Sequence, residues 1–491
     1  MPISQLSGGF NGARVEEAPT NGYEESGFEL PAGSKDAVEI MEIAASVGND
    51  HSADFDTREL VDRYPAGNSS AAGAVANFVN TIVGAGIIGL PFAMAQSGLG
   101  AGIVMLFLAA ILTNRSSYML IAAGLKTGRL NYEEMMGDLF GRWGIYAYCT
   151  FAGVLSFGAM AAYLIIVGDT IPTVVKASGS TSPAFTERSS VILLFGIFCV
   201  LPLSLLKDLS KLSYTSFASV IADLLLTLIV IFAGAKEARE NPDLDGLPKL
   251  AFARPTVFAG FGAISFAFVS QSSSFLVYRS MAKGGLNRWA AVTNWSGTIA
   301  LVMGLTLALG GYLSFGRDTQ GNILNNFSED HAAASVARAF LAITMVFTYP
   351  MEMYVTRHVL DFAVFQTLLG MGPPTAGRHY GITMVLWVLT IILATSTSDL
   401  GDILEIFGAF GASAVGYIIP ALLHMKAHSR EMQTALAVWK KGSGVYANSF
   451  CGRLWAMRSF YVPISMVIFG VVAMVAGVAT AIVSDLTQTR A

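Results

Sequence analysis

The sequence predicts an all-α membrane protein of eleven spans behind a polar tail. Three observations carry that expectation. The chain of 491 residues is 53% hydrophobic and only 13% charged, about half the charge of a soluble domain (about 25%). Apolar runs recur at the length of roughly 20 residues that crosses a hydrocarbon core of about 30 Å. Polar chain is gathered into residues 1–69 and two loops, 235–255 and 427–459.

Residues 1–69 are rich in Gly, Ser, Ala and acids and lack long apolar periodicity, so they read as a disordered tail. A regulatory plug and a sorting signal are the alternatives. Asp56-Thr-Arg-Glu-Leu-Val61 weakly resembles an acidic dileucine motif. No apolar stretch of leader type occurs in the first 70 residues, which leaves the first span as the targeting signal.

From residue 70 to 491 the chain reads as one transmembrane domain. The spans are expected near 71–96, 98–123, 145–172, 189–206, 212–234, 256–279, 290–315, 333–359, 380–397, 403–426 and 460–484. With a cytosolic N-terminus, sixteen Lys and Arg (Lys126 through Arg458) fall in cytosolic loops and eight (Lys176 through Arg338) on the other side. That bias is the one membrane insertion follows. The net charge of −4 offers no basic surface for nucleic acid. Cys149, Cys199 and Cys451 are too far apart in the chain for a metal or disulfide pattern.

Two spans contradict their own helix. The first contains Asn80-Thr-Ile-Val-Gly84-Ala-Gly86-Ile-Ile-Gly89-Leu-Pro91. Against alanine, each glycine costs a helix about 1 kcal/mol and proline about 3 kcal/mol. The sixth contains Ser270-Gln271-Ser272-Ser273-Ser274 between apolar stretches. Unpaired peptide groups are tolerated in a bilayer only where they are buried or line a cavity. First and sixth are equivalent positions in a five-plus-five inverted repeat, and paired breaks of this kind point to a midplane binding site. A half-helix N-terminus suits a carboxylate. A half-helix C-terminus suits a cation or ammonium group. Together they suit a zwitterion such as an α-amino acid. The competing reading is close packing through small residues.

Four segments resemble the amino acid/auxin permease superfamily, and within it the sodium-coupled neutral and fungal vacuolar amino acid transporters. They are Asn80–Pro91, Phe157-Gly-Ala-Met-Ala-Ala-Tyr163-Leu-Ile-Ile-Val-Gly-Asp169, Gly321-Asn-Ile-Leu-Asn-Asn-Phe327, and Phe347-Thr-Tyr-Pro-Met-Glu352. The resemblance implies a LeuT-type fold of ten core helices plus an eleventh. It implies substrate at spans one, three, six and eight. Here that means Thr81, Ile82, Val83, Gly84, Ala85, Gly86, Tyr163, Phe268, Ser270 and Ser273. It also implies a sodium site joining Asn80 and Val83 to Thr348, with Thr344 one turn away. Relatives often carry Cys-His where this chain has Ser270-Gln271, and Gln271 cannot titrate.

Ionisable groups in spans mark ion paths or paired sites. Asp223 is the candidate proton carrier, with a structural carboxyl as the alternative. Glu352 has Arg357 or Lys211 as expected partners, Glu405 reads as interfacial, and Asp169 as a capping or pairing group. Trp289, Trp295 and Tyr312 read as interfacial belt residues. Asn326-Phe-Ser328 is a glycosylation sequon on the predicted lumenal side.

The expectation is a secondary amino acid transporter driven by protons or sodium, without a cofactor. The resemblance and the acidic tail suggest a vacuolar or lysosomal membrane, with the plasma membrane as the alternative. A second reading is an amino-acid sensor whose tail docks signalling proteins. A membrane enzyme is disfavoured, because the sequence offers no nucleophile motif and no paired His/Asp.

Overall fold

The computed structural model describes residues 67–206, 215–240, 251–282, 284–397, 399–429 and 461–488. The tail through residue 66, with its sorting and docking expectations, lies outside them, as does Lys211.

Every described apolar run is helical. The first span is α1 (Ala71–Val83) and α2 (Leu90–Ser97) around a short 3-10 turn, Ala85–Gly89. Then come α3 (Leu99–Thr127), α4 (Tyr132–Ala177), α5 (Arg188–Ser204) and α6 (Thr215–Glu240). The sixth span is α7 (Val257–Phe268) and α8 (Gln271–Ser280). It is followed by α9 (Leu286–Phe315), α10 (Ala332–Leu360), α11 (Ala376–Ser396), α12 (Leu400–Ala427) and α13 (Val462–Gln488). Among the described residues nine helices are long and apolar enough to cross a membrane, and the bent pair α1–α2 makes a tenth span. The apolar helix α5 is shorter and sits where the fourth span is expected.

Local chemistry sets the boundaries. Ser70 caps α1 by accepting from Gly73 N at 3.1 Å, the usual way to satisfy an orphan donor. Gly98 (φ 88°) turns the chain between α2 and α3. Gly128 closes α3 in the left-handed conformation, the commonest way a helix ends on glycine. Asn131 caps α4 through Glu133 N at 2.9 Å.

The first and sixth spans run antiparallel and are tied at both ends. At one end Ser69 N donates to Ser280 O and Ala282 N to Ser69 O, both at 2.9 Å. At the other, Leu99 N donates to Ala251 O at 3.0 Å, Arg254 N to Ser97 O at 3.0 Å, and Thr256 Oγ1 to Gln96 O at 2.7 Å. Helix α9 packs on α1, α2, α3 and α6. A second group forms around α4, which runs along α10 and also contacts α5 and α11. Helix α13 packs on α7 and α12.

Several expectations need correction. The third span is preceded by a short helix from Tyr132, set off from it at Gly141 (φ 67°), which the sequence reading did not include. The eighth continues beyond Leu360 as a π-helix, Asp361–Leu368, and the tenth contains π segments at Gly408–Ala412 and Ala414–Ile418. Trp289 and Tyr312 are fully buried instead of forming a belt. Trp289 packs against Phe78 and Tyr278 and donates to Ser117 O at 3.0 Å. Trp295 is exposed, as a belt residue would be. Glu405 is buried rather than interfacial, because its stretch of α12 lies against α7.

Candidate functional site

Both interrupted spans are present. After Val83 the chain passes through Gly84 at φ 33°, ψ −158°, a region that costs any side-chain-bearing residue. Its N–H donates to Asn80 O at 3.1 Å, and the axis then bends by 45°. Beyond the break, Gly86 lies against the sixth span. A Cβ there would sit 2.5 Å from Ala267 Cα, so the two broken helices meet backbone to backbone. The last carbonyls of α1 lack helical partners. Asn80 Oδ1, one turn back, is buried with no hydrogen-bond partner.

The sixth-span break is two residues long, Val269 (φ −71°, ψ 119°) and Ser270 (φ −139°, ψ 3°). Side chains of α3 hold it. Thr113 Oγ1 donates to the freed carbonyl of Phe268 at 3.1 Å. Gln271 Oε1 accepts from Ser270 N at 3.0 Å, and Gln271 Nε2 donates to Ser116 Oγ at 2.6 Å. Ser116 Oγ in turn donates to Thr113 O at 3.1 Å. Gln271 is fully buried. The residue that sequence reasoning noted only for its inability to titrate is thus the centre of a bracket. Ser270 Oγ is buried without a partner, and no side chain caps α8.

The other expected residues are distributed around these breaks. Ile82, Val83 and Phe268 line a cavity of about 10 Å³ with Leu90, Ala267 and Gly304, at the lower limit of room for one water. The backbone surfaces are therefore closed on each other on this side. Thr81 donates to Asn77 O and Ser273 N to Ser270 O, both within their own segment. Tyr163 is buried beside Glu352, whose carboxyl accepts a hydrogen bond from Ser156. That corrects the expected Arg357 partner. Arg357 donates instead to Ser204 O at 3.1 Å and Thr383 Oγ1 at 2.9 Å.

The expected ion ligands do not converge through hydrogen bonds. Thr348 donates to Thr344 O at 2.8 Å and Thr344 to Phe340 O at 2.9 Å, each within α10. Asp223 is 1% exposed, and its Oδ2 has no partner. Asp169 pairs with Arg188 at 3.0 Å and accepts from Asn325 at 3.3 Å. Asn325 belongs to the connection after α9, whose carbonyls at Leu324 and Phe327 each bind Arg338 Nη2 at 2.7 Å. The sequon residue Asn326 is engaged locally: it accepts from Gln320 N at 2.9 Å and donates to Asp318 O at 2.7 Å.

A bundle with two interrupted antiparallel spans is the architecture of LeuT-type carriers, and solved structures agree. The bromovinylhydantoin-bound closed structure of Mhp1, a nucleobase-cation-symport-1 family transporter, matches with a TM-score of 0.51 at 14% identity. That match covers 85% of this chain and 94% of the other. The inward-facing Mhp1 structure matches with a TM-score of 0.51 at 13% identity, over 86% and 92%. These likenesses concern the fold. Residues 67–465 match the family of transmembrane amino acid transporter proteins, and the chain belongs to that family. It is 31% identical over 389 residues to the putative sodium-coupled neutral amino acid transporter 11 of Danio rerio, covering 79% of this chain and 84% of that one. It is 27% identical to vacuolar amino acid transporter 2 of Saccharomyces cerevisiae, over 74% and 78%. Its relatives are transporters, not enzymes.

Proposed function

We propose that the protein is a secondary active carrier of neutral amino acids in a vacuolar or lysosomal membrane, N-terminus in the cytosol, driven by a sodium or proton gradient. The carrying observation is the meeting of two interrupted spans at Gly86 and Ala267. The carbonyls ending α1 and the amides opening α8 offer opposite partial charges to a zwitterion. Thr81 through Gly86 and Phe268, Ser270 and Ser273 form the backbone cradle, with Tyr163 of α4 as a further substrate contact. The unpartnered Ser270 hydroxyl supports a ligand contact there. The names of the relatives support the substrate class and the membrane.

Two ion positions follow. The unpartnered Asn80 Oδ1, with Val83, Thr344 and Thr348, forms a sodium site. Asp223, whose Oδ2 has no partner, is the proton carrier. The test is uptake of labelled amino acids into proteoliposomes under separate sodium and proton gradients. A sodium-driven carrier loses sodium dependence with Asn80→Ala and keeps it with Asp223→Asn. A proton-driven carrier shows the reverse. No accumulation under either gradient overturns the carrier reading.

A further inference from the structure

Away from the breaks, the junction of the eighth and ninth spans encloses a cavity of about 280 Å³. Its walls are the end of α10, with Tyr354, Arg357, His358 and Asp361, and the start of α11, with Thr375, Ala376 and His379. It lies at the end of the bundle that carries the Arg129 loop, because His358 Nε2 reaches Glu133 Oε1 at 3.5 Å. Glu133 opens α4, and Arg129 just before it bridges Asp138 at 2.6 Å.

We propose that this cavity binds a phosphate group of net negative charge, as in an anionic lipid headgroup. Arg357 is 6% exposed, yet both hydrogen bonds it makes come from Nη1. Among the described residues no hydrogen bond engages its Nη2 or Nε, and its guanidinium lies 5.7 Å from the Tyr354 ring. Arginine matches a phosphate in geometry as well as charge. The cavity's carboxylate, Asp361, is already paired with Arg378 at 3.3 Å, so Arg357 keeps its charge for a ligand. Helix α11 opens on the same space. Its N-cap hydroxyl, Thr375 Oγ1, accepts from Arg378 N at 3.4 Å, and the first-turn amides before it have no helical acceptor. His379 adds a ring whose Nε2 contacts Leu205 O at 3.2 Å.

The exposed apolar residues of this junction bear on the source of the phosphate. Leu360 at the end of α10 and Leu368, Leu369 and Met371 on the segment that joins it to α11 are exposed apolar side chains. An arginine-bearing cavity and exposed apolar side chains at the same junction suit a lipid whose chains stay outside while its headgroup enters. A soluble phosphate ester satisfies the same guanidinium without using the apolar side chains.

The test uses the full chain, purified in detergent, with binding read by thermal shift and native mass spectrometry. The probes are dioctanoyl phosphatidic acid, dioctanoyl phosphatidylinositol 4-phosphate, dioctanoyl phosphatidylcholine, inositol 1,4-bisphosphate and inorganic phosphate. The anionic lipids are expected to bind at least tenfold tighter than phosphatidylcholine. Arg357→Gln should lower that affinity tenfold or more. Because Arg357 also braces Ser204 and Thr383, a second variant guards against misfolding. Ala376→Asp puts a carboxylate on the exposed first turn of α11, where the helix tolerates it but an anion in the cavity does not. Loss of anionic-lipid binding in Ala376→Asp, with the melting temperature kept, supports the proposal. Lipids binding where inositol bisphosphate does not assigns the site to lipid, and equal binding assigns it to a soluble phosphate. Phosphatidylcholine binding as tightly as the anionic lipids, or Ala376→Asp binding as wild type, overturns it.

Discussion

In the first span the break is made by glycine, while in the sixth it is held by side chains, from α3 and from Gln271 of the span itself. Gly84 adopts a backbone conformation open to few other residues, and Gly86 and Gly89 leave room for Ala267 and the Leu404 side chain. No described side chain caps the turn that follows Gly84. Around Phe268–Gln271, by contrast, Thr113 occupies the freed carbonyl, Gln271 the freed amide, and Ser116 holds Gln271. A glycine break is defined by what neighbours leave empty, so it can adjust as they move. A bracketed break is defined by bonds that must be broken. The comparison makes the first span the adjustable half of the site and the sixth, fastened to α3, the fixed half.

The largest expected effect tests the glycine half. Gly84→Leu forces a branched side chain into the φ 33° conformation, a strain of about 1–3 kcal/mol. At the upper end that is roughly a 100-fold loss of substrate affinity. The measurement is equilibrium binding of labelled amino acid to protein shown to be inserted and monodisperse. Unchanged affinity would mean that the glycines serve helix packing alone.

Both breaks were legible in the sequence because each violates helix propensity in a stretch otherwise fit to span: three glycines and a proline in one, a polar Ser-Gln-Ser run in the other. What holds them was not legible. Thr113 and Ser116 each stand 155 residues from their partners in the sixth span, and a hydroxyl inside an apolar helix gives no sign of which way it faces. The same blindness explains Trp289 and Glu405. In helices that are apolar on all sides, periodicity does not separate the lipid face from the bundle face. Burial of both is a fact of packing. The π segments of α12 likewise follow no glycine or proline rule strong enough to read in advance.

The bracket is tested next. Gln271→Leu leaves the Ser270 N–H buried without an acceptor. Such orphaning costs about 1–3 kcal/mol in general, and hydrogen bonds in membrane bundles average about 0.6 and reach about 1.7 kcal/mol. A loss of about 1.4 kcal/mol corresponds to a tenfold weaker substrate affinity. Gln271→Glu keeps an acceptor for the amide and is expected to recover part of that loss. Equal affinities for Gln271→Leu and wild type would remove the bracket from the account of the site.

Thr113→Val should have the smallest effect, and its size relative to Gln271→Leu carries the argument. The substitution keeps the shape of the side chain and removes the donor to Phe268 O. A carbonyl has two lone pairs, and a buried one short of a partner is tolerated better than an orphaned N–H. The membrane average of about 0.6 kcal/mol then predicts about a threefold loss of affinity. Competition binding across Thr113→Val, Gln271→Leu and the double variant gives the order directly. The losses should combine less than additively, because both side chains hold the same two-residue break, one at its carbonyl and one at its amide. If Thr113→Val proves the more damaging of the two, the freed carbonyl, not the freed amide, is what α3 holds in place, and the fixed half of the site would present its partial negative end to the ligand.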